Sequence, residues 1–135
     1  MKRIVVTGGA GFIGSNLVQY FNRHSPMTTV VVFDDFSTGL RANLAGMSCE
    51  VVEGTLLDYT ALEDTIRGSE IVVHLGAIGS VPRSIADPRK SYEANVQGTL
   101  NVLEAARTAG VKQVILASSS SVYGSNPSLP KTESD

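Results

Sequence analysis

The sequence predicts an α/β fold, a doubly wound (Rossmann-type) parallel sheet of about five strands with helices on both faces. Three observations carry that expectation. Short β-branched runs recur five times along the chain, and segments of helical periodicity separate them. Most of the runs are continuously apolar rather than alternating, as strands covered on both faces are.

The five runs are Arg3–Thr7, Thr29–Phe33, Cys49–Glu53, Glu70–His74 and Lys112–Ala117. After the first, Ile13, Leu17, Tyr20 and Phe21 share a helical face, and Ser25-Pro26 ends that helix. The stretch Asp34–Ser48 predicts a loop with a short helix near Arg41–Ala45. Ahead of the fourth run, Thr60 and Glu63 have capping-box spacing, Leu62 and Ile66 supply a buried stripe, and Gly68 stands at the C′ position. The longest helix is expected to start at Asp87 as N-cap with Pro88 at N1, to carry Tyr92, Val96, Leu103 and Ala106, and to end at Gly110. Alternation of strands and helices implies right-handed crossovers. From Gly124 onward the chain reads as loop, and the whole of 1–135 is expected to be one domain.

With 135 residues, 42% hydrophobic and 18% charged, the chain has the composition of a globular domain. A formal net charge of −2 offers no general positive field for nucleic acid or an anionic membrane. Any phosphate must therefore be held by local geometry. The lone Cys49 cannot form an intramolecular disulfide, and the two histidines, His24 and His74, support no metal site. Ile4-Val5-Val6 is too short for a signal-peptide core, and no stretch approaches the roughly 18 apolar residues of a membrane span. A cytoplasmic location is the corresponding expectation.

The chemistry is concentrated where the first strand runs into Thr7-Gly8-Gly9-Ala10-Gly11-Phe12-Ile13-Gly14. A dinucleotide pyrophosphate must come very close to backbone N–H groups at a helix N-terminus, which only glycines permit. Gly8, Gly11 and Gly14 are the favoured register, although Gly9, Gly11 and Gly14 also satisfy the spacing. The alternative is a tight strand-to-helix turn with no ligand. Against it stands Asp34, at the end of the second strand and 20 residues after Gly14. A carboxylate there accepts from adenosine ribose hydroxyls and repels a 2′-phosphate, so NAD is expected rather than NADP. Arg41 could in principle serve a phosphate, but it reads rather as a solvated surface charge.

The glycine string, Asp34-Asp35 with Ser37-Thr38-Gly39, and Ser118–Ser121 running into Val122-Tyr123-Gly124 stand in the order seen in one known group. Together they resemble the extended short-chain dehydrogenase/reductases, in particular the NAD-dependent epimerase/dehydratase family. The resemblance implies a cofactor site of Gly8, Gly11, Phe12, Ile13, Gly14, Asp34, Asp35, Thr38 and Gly39. It adds Leu56 beside the adenine, then Leu75, Gly76 and Ala77 after the fourth strand. Asn95 matches the asparagine of Asn-Val-x-Gly-Thr, implying scaffolding through backbone hydrogen bonds. Two positions depart from the family pattern. Thr55 stands where an aspartate usually accepts from the adenine, a weaker neutral acceptor, and Gly76 stands where alanine is usual. His74 reads as a satisfied strand-end histidine.

The chemistry implied by the family is oxidation of a sugar hydroxyl by bound NAD, with a tyrosine activated by a lysine four residues on as base. A 4-epimerase then returns the hydride to the other face of the sugar. By its offset from Val122-Tyr123-Gly124, Ser119 maps onto the hydroxyl that bonds the reacting group, with Ser118, Ser120 and Ser121 as neighbouring candidates. Ser120 is a substrate-side candidate, as are Gly79 and Ser80 in Gly79-Ser80-Val81-Pro82-Arg83-Ser84, a stretch similar to the sugar loop of enzymes acting on UDP-N-acetylhexoses. Dehydratases carry Thr-Asp-Glu where this chain has Ser119-Ser120-Ser121, which disfavours water elimination. Four residues after Tyr20, Tyr59, Tyr92 and Tyr123 come His24, Glu63, Val96 and Pro127, so no Tyr-x-x-x-Lys pair is present. The chain is therefore expected to stop short of the catalytic pair and of a sugar-nucleotide domain, to be inactive alone, and to self-associate as a homo-oligomer. The alternatives are a non-catalytic NAD-binding module, or part of a nucleotide-sugar decarboxylase or reductase.

Overall fold

Five parallel strands form a single sheet in the order β3-β2-β1-β4-β5 in a computed structural model that describes residues 2–134. They are β1 (Arg3–Thr7), β2 (Thr29–Asp34), β3 (Glu50–Glu53), β4 (Ile71–His74) and β5 (Gln113–Leu116). The expected strands are therefore all present, with ends moved by one residue in most cases. The helices are α1 (Phe12–His24), α2 (Tyr59–Ile66), α3 (Val81–Ala86), α4 (Pro88–Tyr92) and α5 (Gly98–Thr108), with 3₁₀ turns at Arg41–Leu44 and Ser120–Tyr123.

Strand side chains alternate between two cores. Val5, Val31, Phe33 and Val72 pack on one face against Leu62 and Ile66 of α2 and Val102, Ala105 and Ala106 of α5. Ile4, Val6, Val30, Val32 and Val73 face the other way, against Val18 of α1 and Leu44. Burial of both faces accounts for the unbroken apolar runs of β1, β2 and β4. The edge strand β5 differs, since Ile115 and Leu116 remain about half exposed.

Three local expectations are corrected. In α1 the buried residues are Gly14, Ser15 and Val18, flanked by Leu17 and Phe21, while Ile13 and Tyr20 face outward. The small residues Gly14 and Ser15 let the helix sit close to the sheet, which turns the buried stripe away from Ile13. At α2 the N-cap is Asp58, whose Oδ1 accepts from the Ala61 N–H at 3.0 Å, so Thr60 is not the cap. Leu62 and Ile66 are fully buried and Gly68 takes φ +76°, as expected.

The third correction concerns the longest helix. It starts as expected, with Asp87 Oδ1 accepting from the Lys90 N–H at 3.0 Å and Pro88 following, and Gly110 takes φ +68° at its end. Between α4 and α5, however, Glu93–Gln97 forms a π-helical turn. A π turn carries an extra residue and rotates everything beyond it relative to an uninterrupted α-helix. The buried set is accordingly Gly98, Val102, Ala105 and Ala106, whereas Tyr92, Val96 and Leu103 are exposed. Gly98 is the contact point, because a Cβ there would lie 2.9 Å from Leu56 Cβ. The segment expected to be a sugar-side loop contains α3, capped by Ser80.

Candidate dinucleotide cleft

The strands end together at Thr7, Asp34, Glu53, His74 and Leu116, and their registers align these ends along one edge of the sheet. Chain order reverses between β1 and β4, so the connections leave in opposite directions and open a crevice there. The crevice is a cleft of about 540 Å³, within the usual range of cofactor sites.

Its floor is the glycine turn. Gly8 has φ +68°, and a Cβ there would fall 2.7 Å from the Gly76 nitrogen, so only glycine fits between β1 and the loop after β4. Gly14 is equally constrained, since a Cβ would lie 2.5 Å from both the Gly8 oxygen and the Gly9 Cα. Gly11 is different. The one atom within 4 Å of its added Cβ is the Gly8 oxygen at 3.3 Å, so a side chain there would meet a single snug backbone contact and otherwise no part of the protein. Gly9 is buried, with an added Cβ 2.7 Å from Val32, which assigns it to packing. Gly8, Gly11 and Gly14 line the cleft and Gly9 does not. Gly11 is the N-cap of α1 and provides no side-chain cap, which leaves the first-turn amides directed at the cleft.

Asp34 is 7% exposed and organises the adjoining wall. Its Oδ2 accepts from the Ala10 N–H at 2.9 Å and its Oδ1 from the Phe36 N–H at 2.9 Å. A carboxylate has room for about four hydrogen bonds, so acceptor capacity remains for a ligand hydroxyl. Phe12, Ile13, Asp35, Thr38 and Gly39 line the same space, as do Thr55, Leu56, Leu75, Gly76 and Ala77. Thr55 is exposed, and its Oγ1 accepts from the Leu57 N–H at 3.3 Å. Arg41 is a largely exposed surface charge. It pairs with Glu53 and lies over the Phe36 ring.

Asn95 does not line the cleft but holds one of its walls. Its Oδ1 accepts from the Ile78 N–H at 2.8 Å and its Nδ2 donates to the Ile78 carbonyl at 2.9 Å. Gly79, Ser80, Ser119 and Ser120 lie outside the cleft lining. Ser80 accepts from the Arg83 N–H at 3.4 Å as the cap of α3. Ser119 is exposed and its hydroxyl is spent on Ser121, accepting from the backbone N–H at 3.2 Å and donating to Oγ at 3.1 Å. Two residues before it, Ala117 does reach the cleft, together with Ile78, Lys90 and Glu93, none of which the sequence motifs single out.

His74 is 2% exposed and has both ring nitrogens partnered, Nδ1 with Thr7 Oγ1 at 2.6 Å and Nε2 with Thr99 Oγ1 at 3.0 Å. Burial pushes the imidazole below its usual pKa. Among the described residues no cluster of His, Cys, Asp or Glu could hold a metal, and no helix is long and apolar enough to cross a membrane.

A crevice at the sheet's switch point, floored by glycines and walled by a buried acid, defines a dinucleotide-binding α/β domain. Residues 4–135 match the NAD dependent epimerase/dehydratase family. A UDP-glucose 4-epimerase of Klebsiella pneumoniae is 34% identical over 98% of this chain and 99% of that sequence. Among solved structures, the UDP-glucose 4-epimerase of Brucella ovis in complex with NAD is 34% identical with a TM-score of 0.90, covering all of this chain and 41% of that one. The UDP-N-acetylglucosamine 4-epimerase of Methanobrevibacter ruminantium is 36% identical with a TM-score of 0.89, covering 99% of this chain and 43% of that one. The chain belongs to the NAD dependent epimerase/dehydratase family. It spans less than half the length of the two solved relatives.

Proposed function

We propose that this chain is the NAD-binding domain of a nucleotide-sugar 4-epimerase acting on UDP-hexoses. The observation that carries the reading is Gly11, a glycine in a conformation any residue could adopt, whose side-chain space borders the cleft at the N-terminus of α1 beside the buried Asp34. The first-turn amides would hold the pyrophosphate, and Asp34 would accept from the adenosine ribose. Leu56 and Thr55 would flank the adenine, and Leu75, Gly76 and Ala77 would border the nicotinamide side. Bound NAD would supply the hydride acceptor and donor at the sugar's C4. The likeness to UDP-sugar 4-epimerases supports that substrate class. Calorimetric titration tests the cofactor assignment: NAD should bind at least about ten-fold more tightly than NADP, roughly 1.4 kcal/mol. Equal affinities would show that Asp34 is not at the ribose.

The same reading holds that the 135 residues do not turn over substrate on their own. No tyrosine is followed four residues on by lysine, and Ser119 lies outside the cleft, bonded to Ser121. A serine without an activating partner is a poor base for the proton that must leave with the hydride, and general-base assistance is worth about 10²–10⁴ in rate. The assay is incubation with NAD and UDP-glucose, UDP-galactose or their N-acetylated forms, followed by analysis for the 4-epimer. Turnover that disappears in Ser119→Ala would overturn this part of the reading. Tyr92, Val96, Leu100 and Leu103 are exposed apolar residues of the α4–α5 segment, which supports assembly into a homo-oligomer.

A further inference from the structure

We propose that Glu53 helps set cofactor choice by holding Arg41 away from the adenosine ribose, so that a 2′-phosphate is refused by an ion pair as well as by Asp34. The inference rests on the NAD-binding reading above. Pairing of β2 with β3 places Glu53 directly beside Asp34 at the sheet edge. The loop leaving Asp34 returns at Arg41, whose Nη2 donates to Glu53 Oε2 and whose guanidinium carbon lies 4.1 Å from the centre of the Phe36 ring. Phe36 is itself fixed, in the left-handed region at φ 55°, with its N–H donating to Asp34 Oδ1 at 2.9 Å. One carboxylate thus sets the ring on which the cation rests, and its neighbour holds the cation.

Chemistry makes Arg41 the group that matters. Recognition of a 2′-phosphate at this end of a doubly wound fold calls for an arginine near the ribose acid. From His24 to Ile66, the span that contains β2, β3 and α2, Arg41 is the only Lys or Arg. It follows the cleft-lining stretch Ser37-Thr38-Gly39 by two residues, yet is not among the lining residues. Its two partners account for where it sits. Both side chains of the pair are largely exposed, and such pairs are weak, so one substitution is enough to release the cation.

The test is a double-mutant cycle read by calorimetric affinity for NAD and NADP in the wild type, Glu53→Gln, Arg41→Ala and the double variant. Glu53→Gln should tighten NADP by about three- to ten-fold with little change for NAD, and the gain should vanish in the double variant. Loss of a negative charge alone would also favour NADP, and the double variant reads that contribution because no cation remains to be freed. An unchanged NADP affinity in Glu53→Gln, or a gain that survives removal of Arg41, would overturn the inference while leaving wild-type NAD binding intact. A wild-type chain that binds neither dinucleotide would overturn the cofactor reading and this one with it. Melting temperatures of the four proteins, expected to agree closely because both side chains are exposed, confirm that affinities are compared between folded chains.

Discussion

Gly11→Val should abolish dinucleotide binding in a chain that still folds. The glycines of the turn are required for different reasons. A side chain at Gly8 meets the backbone of Leu75 and Gly76 and must adopt φ +68°, and one at Gly14 meets Gly8 and Gly9 at 2.5 Å. Substitution at either strains the folded protein itself. At Gly11 an added Cβ has only the Gly8 oxygen nearby, at 3.3 Å, and φ is −74° with ψ 176°, a conformation open to any residue. The cost to folding is therefore that of a poor N-cap plus a snug contact with the Gly8 oxygen, about 1–2 kcal/mol, equivalent to a fall in melting temperature of about 3–12 °C. Binding is another matter. The valine side chain would occupy the space in which the pyrophosphate must approach the first-turn amides. A loss of at least roughly 100-fold, about 2.8 kcal/mol, is expected for NAD. Circular dichroism with calorimetry separates the two effects, and Gly14→Val provides the contrast by lowering stability first. Retained NAD binding in folded Gly11→Val would reduce the glycine string to a structural turn.

Much of this architecture is legible in the sequence because it depends on residue type. Val30-Val31-Val32-Phe33 must be buried on both faces, and that requirement leads directly to β2 between β1 and β3. What escapes the sequence depends on geometry that no residue type announces. The π turn at Glu93–Gln97 is written in ordinary helix residues, yet it moves the buried stripe from Tyr92, Val96 and Leu103 to Gly98, Val102, Ala105 and Ala106. Asp58 and Thr60 both have the chemistry of an N-cap, and the choice falls to whichever backbone turns first into the helix. Gly8 and Gly9 are adjacent and equivalent on paper, and the contact that separates them, Gly9 against Val32, is made between different elements. Asn95 is identified by likeness to a family motif, but its partner Ile78, 17 residues away, is visible only in the fold. The Arg41–Glu53 pair is legible in neither way.

The sequence marks His74 as a satisfied strand-end residue, and its partners in the fold have a measurable consequence. The Gly76 N–H donates to Thr7 Oγ1 at 3.2 Å, so the Thr7 hydrogen is free to go to His74 Nδ1. On the other side, Thr99 Oγ1 donates to the Asn95 carbonyl at 2.7 Å and is therefore the acceptor for His74 Nε2–H. The chain of bonds places a ring hydrogen on Nε2, leaves Nδ1 to accept from the Thr7 hydroxyl in the neutral ring, and joins the ends of β1 and β4 to the π turn. Protonating Nδ1 would set two donors against each other and create a buried charge, with desolvation the cause of its lowered pKa. The folded pKa therefore lies below the unfolded value of about 6.5. Between those two values the unfolded chain binds more protons, so stability rises with pH, and it falls as pH drops from about 6.5 toward the folded pKa. Urea unfolding between about pH 5 and pH 7.5 should show that decline in the wild type and a much flatter profile in His74→Gln, which keeps a donor and an acceptor but cannot titrate. His74→Ala should be destabilised at every pH by about 2–4 kcal/mol, since it leaves the Thr7 hydroxyl hydrogen without its acceptor and opens a cavity. Equal pH profiles for the wild type and His74→Gln would show that the ring accepts a proton without losing its bonds, and the assignment of a neutral ring would fall.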